Sequence, residues 1–448
     1  MKVFFENIKC KIGFILPTRN KLPRRWSVLL KALILISLSA NLIATRHPLV
    51  MVYKDNLWFP AFSSLIFSNR VEEIADKNGH IETIEFEHID WKSLQSSFVI
   101  WAPIPWSANI PDSENRNFKS PFERHMDGNS ASKDAALPHF FRHHLGTDAL
   151  GNDVLAGLIH GFGNSVFIAV CSTLLALFIG IALGLTSGYW GNYALSMPLG
   201  SIVAAAIGII LGFFWAFQMR IAALTEAANE GYVALSLSAL WSVIIFVLTL
   251  GICLVLGKHL SKLQLFDKRI TLAFDGAVQR FTETFNSLPK LLLILTISAA
   301  FDAKNIMLLI LILGGLQWTG IARLVRIETM KLRKMPFVEA AILQGYSTSR
   351  ILLVHVLPSI IGVVFVEATF LFAGSVLIES SLSFLGLGLP DSSYTLGTLL
   401  KNGRNHPTAW WMTIFPGVMI FILTWTANSL GKWLQSNYTN GADTYQNR

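Results

Sequence analysis

Three sets of residues in this sequence have types and spacings that could carry chemistry. The first is a polar run between two strongly apolar segments: Glu339, Ala340 and Ala341, then Gly345, Tyr346 and Ser347, then His355, Leu357 and Pro358. Pro336 suits the first turn of a helix, Glu339 complements the positive end of its dipole, and Gly345 can take positive φ to end it. Tyr346 to Ser349 then offers capping hydroxyls for a second short helix through Arg350 to Val354, before Leu357-Pro358 turns the chain back into the apolar phase. The two alanines leave a shallow surface against which another protein can pack, so the chemistry of this helix-turn-helix is docking. Spacing alone is equally compatible with an ordinary interhelical loop. The second set is Glu367 and Glu379, two carboxylates inside one apolar segment, where charge is costly unless it meets water or a partner. The third is His139, His143 and His144; His139 and His143 have the i, i+4 spacing of a metal pair on a helix, but no carboxylate is fixed at a matching turn, and no metal is assigned.

The elements that position these residues are membrane helices. Of 448 residues, 52% are hydrophobic and only 14% charged, too little polar material for an ordinary globular protein. A bilayer core takes about 20 apolar residues per helix. Eight candidate spans answer to that length, near 27–45, 162–187, 194–217, 233–257, 286–301, 305–325, 359–381 and 410–430, the fifth being short. Ahead of the first lie Lys2, Lys9, Lys11, Arg19, Lys21, Arg24 and Arg25 against Glu6, which places the N-terminus in the cytoplasm. A cleaved secretory signal is the rival, disfavoured by the length of the apolar run and by a poor cleavage site at Ala40 to Ala44.

Counting onward, residues 46–160 fall outside, with ten Lys/Arg against fifteen Asp/Glu. The loops at 258–290 and 326–358 are basic and come out cytoplasmic, as does the C-terminus; the loop at 382–409, with Lys401 and Arg404 against Asp391, is the exception. The external segment reads as a small domain, with an alternating strand from Ile81 to Ile89 and a loop-rich stretch from Asn109 to Pro138. Cys10, Cys171 and Cys253 have no plausible disulfide partners. The net charge of +8 reads as orientation and contact with anionic lipid, with no call for nucleic acid.

The pattern from Glu339 to Pro358 (EAA, three residues, G, nine residues, His, one residue, LP) resembles the signature of permease subunits of ABC importers. His355 is what the oligopeptide and dipeptide branch usually carries. His144-Leu145-Gly146-Thr147-Asp148 with Gly151-Asn152-Asp153-Val154, and Ser380 to Gly388, resemble two further motifs of that branch; Asn152 stands where Arg is usual. Arg46 to Val50, Trp58 to Pro60 and Trp101 to Ile104 look more loosely like the second permease of microcin C and oligopeptide importers. The resemblance implies an all-α polytopic membrane protein with the type I ABC importer permease fold, six family-like helices plus an inserted hairpin, and a small extracytoplasmic domain. It implies an inner-membrane subunit that pairs with a homologous permease, two cytoplasmic ATPases and a periplasmic peptide-binding protein, with the Glu339 loop seated on one ATPase. ATP closure would tilt spans five to eight between inward-open and outward-open states.

The expected organisation is a basic arm and first span (1–45), a periplasmic domain (46–160), the second span (161–192), an inserted hairpin (193–272), a permease core (273–430) with the coupling loop at 326–358, and a tail (431–448). The insertion follows a YYGG-like turn at Tyr189 to Asn192 and adds two crossings, so the downstream topology is kept. Gly374, Gly386 and Gly388 can permit close packing or bends, or be ordinary contact glycines. Glu367 and Glu379 are both candidates for the translocation path; Glu379 matches a family Glu and suits a hydrogen-bonding role best, while Glu367, where relatives carry neutral polar residues, is a candidate to meet a cationic peptide group. No GxxxxGK[ST] loop is present, so ATP hydrolysis belongs to other chains and no cofactor is expected. A dipeptide or nickel permease is the alternative; an ion-coupled secondary transporter is disfavoured by few intramembrane charges and no obvious repeat, and a membrane enzyme by the lack of a catalytic motif.

Overall fold

The computed structural model describes residues 24–53, 56–62, 71–75, 81–85, 91, 98–126, 136–191, 196–223, 232–260, 269–271, 273–300, 305–390 and 393–446. The basic arm before Arg24, with Cys10, and the second half of the expected strand, 86–89, lie outside the described residues. Two compact units form, one of residues 1–185 and 284–448, the other of residues 186–283.

The larger unit is a helical bundle with a small β-containing segment between its first two helices. Helix α1 (Arg24–Ile43) leads into an antiparallel sheet of order β2-β1-β5, made of β1 (Val50–Tyr53), β2 (Asn56–Trp58) and β5 (Phe98–Ile100), and a separate pair β3 (Val71–Ala75) and β4 (Ile81–Glu85). Met51 and Trp91 form the apolar centre beside the sheet. The long helix α2 (Val154–Trp190) follows; after the second unit come α6 (Lys290–Ala300), α7 (Ile306–Arg333), α8 (Pro336–Leu343), α9 (Thr348–Phe384), α10 (Leu396–Asn405) and α11 (Trp411–Gln446). Among the described residues five helices are long and apolar enough to cross a membrane, and Val28–Ile43, Gly200–Ala216 and Lys290–Ala300 are shorter apolar helices. The protein is thus a mainly helical, multi-pass membrane protein.

Helix α7 is fixed at its start by Asn305, whose side chain accepts from Met307 N at 2.9 Å, and ends in Lys331 and Arg333, which suit the negative end of the dipole. Of the five helices long enough to cross a membrane it is the most enclosed. Leu309, Leu313, Ile321 and Val325 are fully buried, and Leu309 and Leu313 join Ile168, Ile294 and Leu382 in the main core. Gly180 and Gly184 let α2 approach it: a Cβ at Gly180 would meet Ile321 at 2.8 Å, and one at Gly184 would meet Val325 at 2.7 Å.

One sequence expectation changes here. Leu357-Pro358 does not redirect the chain; helix runs unbroken from Thr348 to Phe384, with Ile351–Val356 in a π turn and the α segment restarting at Leu357. Pro358 thereby occupies the first turn of an α segment, where its missing N–H is tolerated, and the wider turn before it absorbs the change in bonding. The i, i+4 spacing of His139 and His143, to which no metal is assigned, does not form a helix face, because His139–Phe141 is a single 3₁₀ turn.

His143 instead lies at the centre of a polar knot at the start of α2. Its Nδ1 bonds Asp153 Oδ1 at 2.9 Å and its Nε2 bonds Asp112 Oδ2 at 3.2 Å, while the ring packs 4.2 Å from that of Trp106. Asp153 caps α2 by accepting from Ala156 N at 2.7 Å. Asn115 donates to Asp112 and to Met126 O, and the Thr147 hydroxyl donates to Asn115 O at 2.7 Å. Trp411 Nε1, at the start of α11, donates to Thr147 O at 3.3 Å. Asn152, the departure from the family motif, donates to Asp148 Oδ2 at 2.8 Å. The motif residues therefore form one tie between the segment preceding α2 and two membrane helices.

The smaller unit is a helical hairpin. Helices α3 (Leu199–Phe213) and α4 (Tyr232–Leu260) pack together, and β6 (Ser196–Pro198) pairs antiparallel with β7 (Arg269–Thr271) where the chain enters and leaves. Helix α5 (Phe274–Ser287) starts beside Trp190, with ring centroids of Trp190 and Phe274 5.9 Å apart. Small residues bring the helices close: a Cβ at Gly257 would meet Ala204 at 2.6 Å. A π turn at Phe214–Gln218 extends α3, and Arg220 beyond it donates to Ser238 O at 3.2 Å and Ser242 Oγ at 3.1 Å. Ile207, Ile210, Phe213, Leu248, Ile252 and Val255 are exposed on its flanks.

The knot makes stability depend on pH with a worked sign. Burial opposes the charged form of His143, but hydrogen bonds to Asp112 and Asp153 and their charges outweigh it and raise its pKa above 6.5. Burial, aided by the positive charges of His143 and Arg142 and partly opposed by Asp153 and Asp112, pushes His125 down from 6.5 to about 4. A raised imidazole stabilises fully below 6.5 and loses its effect as pH climbs through the raised value; a depressed one costs stability as pH falls from 6.5 to about 4. Hydrogen exchange of residues 112–126, corrected for intrinsic rate, is expected to be slowest near pH 6.5. His125→Phe should remove the acid limb and His143→Asn the alkaline limb; flat profiles in the wild type would refute the assignment.

Candidate functional site

The hairpin between α7 and α9 is built tightly from local signals. Met335 is the extended residue before α8 and Pro336 opens the helix. At the other end Gly345 takes φ +75°, Gly345 N donates to Ile342 O at 2.9 Å and Tyr346 N donates to Ala341 O at 3.1 Å, the paired bonds of a Schellman stop. No atom lies within 4 Å of where a Gly345 Cβ would stand, so the glycine answers to backbone conformation and not to crowding. Ser347 is the extended residue before Thr348, but its hydroxyl makes no cap bond. The turn is held by rings: Tyr346 stacks on His355 with centroids 5.8 Å apart and planes at 7°, and the Arg350 guanidinium lies 4.3 Å from the centre of the Tyr346 ring.

Two faces result. Val338 and Ala341 turn inward and are buried, with Ile351, Leu352 and Val356 buried along the following helix. Glu339 and Ala340 are exposed, so of the two alanines only Ala340 contributes to an outer surface and Ala341 belongs to the inner packing. Around them Phe337, Ile342 and Leu343 project, Leu343 with 89% of its surface open. Sequence reasoning missed this apolar knob. Its signal was present, since Pro336 to Leu343 holds one charged residue and is apolar all round, more than a surface helix needs for one buried face. Leu357 and Pro358 are half-buried in the helix and contribute to its continuity.

The two carboxylates of α9 lie in opposite surroundings. Glu379 is fully buried and accepts from Ser165 Oγ of α2 at 3.0 Å, from Ser383 Oγ at 3.0 Å and from Ser380 Oγ at 3.4 Å, with the Thr395 side chain also bonded to it. Ser165 Oγ in turn accepts from Leu396 N at 3.1 Å, the first residue of α10, whose Thr395 and Thr398 form a capping box. Glu367 is half-buried, with one oxygen 3.6 Å from where a Cβ on Gly320 of α7 would stand. A separation of twelve residues puts the two groups about 18 Å apart along the helix, so they do not share a site. Of the glycines considered for packing or bends, Gly388 packs directly against Ser383, while Gly374 faces open space.

Residues 269–440 match the family described as binding-protein-dependent transport system inner membrane component. The Oligopeptide transport system permease protein OppC of Escherichia coli K12 is 35% identical over 162 residues, 36% of this chain and 53% of that protein. OppC of Haemophilus influenzae is likewise 35% identical over 162 residues, covering 52% of its length. OppC of Mycobacterium tuberculosis H37Rv is 25% identical over 296 residues, 66% of this chain and 74% of that protein. The aligned stretch thus spans about half the length of the first two relatives.

Gly345→Ala is expected to cost about 1–2 kcal/mol, the strain of a Cβ in the left-handed region, and Gly345→Asn clearly less; thermal unfolding in detergent reads both. Glu379→Ala leaves several buried hydroxyls without their acceptor and should cost about 2–4 kcal/mol. An unchanged midpoint for Glu379→Ala would show that the hydroxyls are satisfied elsewhere.

Proposed function

Taking as premise that residues 269–440 carry the inner-membrane component domain of binding-protein-dependent transport systems, we propose that this chain is a non-catalytic permease subunit of an ATP-driven importer of oligopeptides or peptide-like compounds, including those of the microcin C type. It works with a homologous permease, cytoplasmic ATP-binding cassette ATPases and a periplasmic peptide-binding protein. The chain lies in the cell inner membrane with both termini in the cytoplasm, and residues 193–272 are an inserted hairpin that faces lipid or a partner.

The observation that carries the reading is the exposed apolar knob at Phe337, Ile342 and Leu343, held between two long membrane helices by the Gly345 stop and the Tyr346 stack. An exposed leucine beside an exposed isoleucine and phenylalanine on a basic loop favours a protein groove over water. Burying a leucine side chain is worth about 1.5–3 kcal/mol, which is about a 10- to 100-fold change in affinity. Because Val338, Ala341, Ile351 and Val356 tie the knob to its own bundle, motion of the groove is passed to α7 and α9 as a rigid displacement.

Leu343→Asp is expected to lower ATP-dependent peptide uptake by at least about tenfold, with normal membrane insertion and pairing with the second permease. Co-purification of the ATPases should fall in parallel. Full uptake and full ATPase retention in this variant would remove the knob from the coupling path.

A further inference from the structure

Glu367 stands midway along α9, where a carboxylate is hardest to keep. Its side chain is half-buried, and among the described residues no hydrogen bond or ion pair engages it. Arg323 of α7, three residues beyond Gly320, is exposed and makes no ion pair with it. Across from the carboxylate α7 presents Gly320, where a Cβ would stand 3.6 Å from Glu367 Oε1, so no side chain of that residue crowds the oxygen, and two turns along the same face of α9 Gly374 meets no atom within 4 Å of its Cβ direction. The contrast with Glu379 is informative: the same helix encloses one carboxylate in hydroxyl donors and leaves the other open.

A carboxylate so placed is costly against lipid tails and calls for water or a positive charge supplied from outside the described residues. We propose that Glu367, faced on α7 by Gly320 and not by a side chain, is the recognition point in the translocation path for a cationic group of the transported peptide, a primary ammonium or a guanidinium. This rests on the importer reading above. Such a group can form a charge-assisted hydrogen bond with the carboxylate. A single carboxylate in this position would favour cationic over neutral cargo without binding it so tightly that release fails.

The test uses the complete importer in proteoliposomes with its ATPases and binding protein, and compares uptake of N-acetyl-trialanine amide, trialanine, and N-acetylated tripeptide amides with a central lysine, arginine or glutamate, all at saturating occupancy of the binding protein. Glu367→Gln is expected to lower uptake of the lysine and arginine peptides at least tenfold, leave N-acetyl-trialanine amide unchanged, and lower trialanine as well if the α-ammonium is read. Glu367→Lys should shift preference towards the glutamate peptide, and Gly320→Val should slow the cationic peptides most. Equal effects on all peptides, or loss of the second permease on purification of Glu367→Gln, would overturn the proposal, the latter because the carboxylate would then serve a cation of the partner subunit. A wild-type importer that takes up none of these peptides would overturn the importer reading itself, whereas indifference of Glu367→Gln overturns only this inference.

Discussion

A buried carboxylate must be solvated by something, and around Glu379 that requirement organises the bundle. Water is replaced by hydroxyls that come from different parts of the chain: Ser165 from α2, Ser380 and Ser383 from α9 itself, and Thr395 from the start of α10. Satisfying one side chain therefore brings three elements into register. The hydroxyl of Ser165 is used twice, donating to Glu379 and accepting from Leu396 N, so the position of α10 follows from the position of the carboxylate. Close backbone approach at this end depends on small residues: a Cβ on Gly161 would meet Thr395 C at 3.0 Å, and one on Gly397 would meet Ser380 Cα at 2.8 Å. The cluster of Phe162, Val376, Leu396 and Leu399 then closes around the polar centre, and a partly satisfied network here would be worse than an apolar one.

At the other end of the same helix the constraint is of a different kind. The hairpin at α8 is defined by backbone geometry and ring stacking, with its apolar inner residues buried and its apolar outer residues left open. A surface of this type is stable in the isolated chain because the short helix is capped at its end and anchored along its inner face. It is nonetheless incomplete, since it offers to water side chains that gain by leaving it. Rigidity and incompleteness together suit a part that transmits motion received from another protein.

Much of this arrangement could be read from the residues. Long apolar runs give the membrane helices directly, because lipid leaves only helix or closed barrel as ways of satisfying the backbone, and Pro336, Glu339 and Gly345 give the hairpin through rules that act within a few residues. What could not be read is whatever depends on partners distant in sequence. The serines of Ser380 to Ser383 hint that Glu379 has donors, but Ser165 lies 214 positions away. The spacing of His139 and His143 says nothing of where the His143 ring goes, because the chain makes only a 3₁₀ turn before it and the ring is left to Asp112 and Asp153. Pro358 looked like a break because the π turn that accommodates it has no compositional signature.

That π turn sets an angle as well as sparing a proline. Each residue of an α-helix rotates the chain by about 100°, so every side chain after Ile351–Val356 points where it does only because the turn contains the residues it contains. Glu367 and Glu379 both lie downstream of it on one continuous rod. Taking one residue out of the turn while keeping the rest α-helical would swing Glu379 away from Ser165 and carry Glu367 off the face opposite Gly320, with no change to any residue that touches either. The phase of the whole helix, and with it which carboxylate is enclosed and which is open, is held in a six-residue segment beside the hairpin at α8.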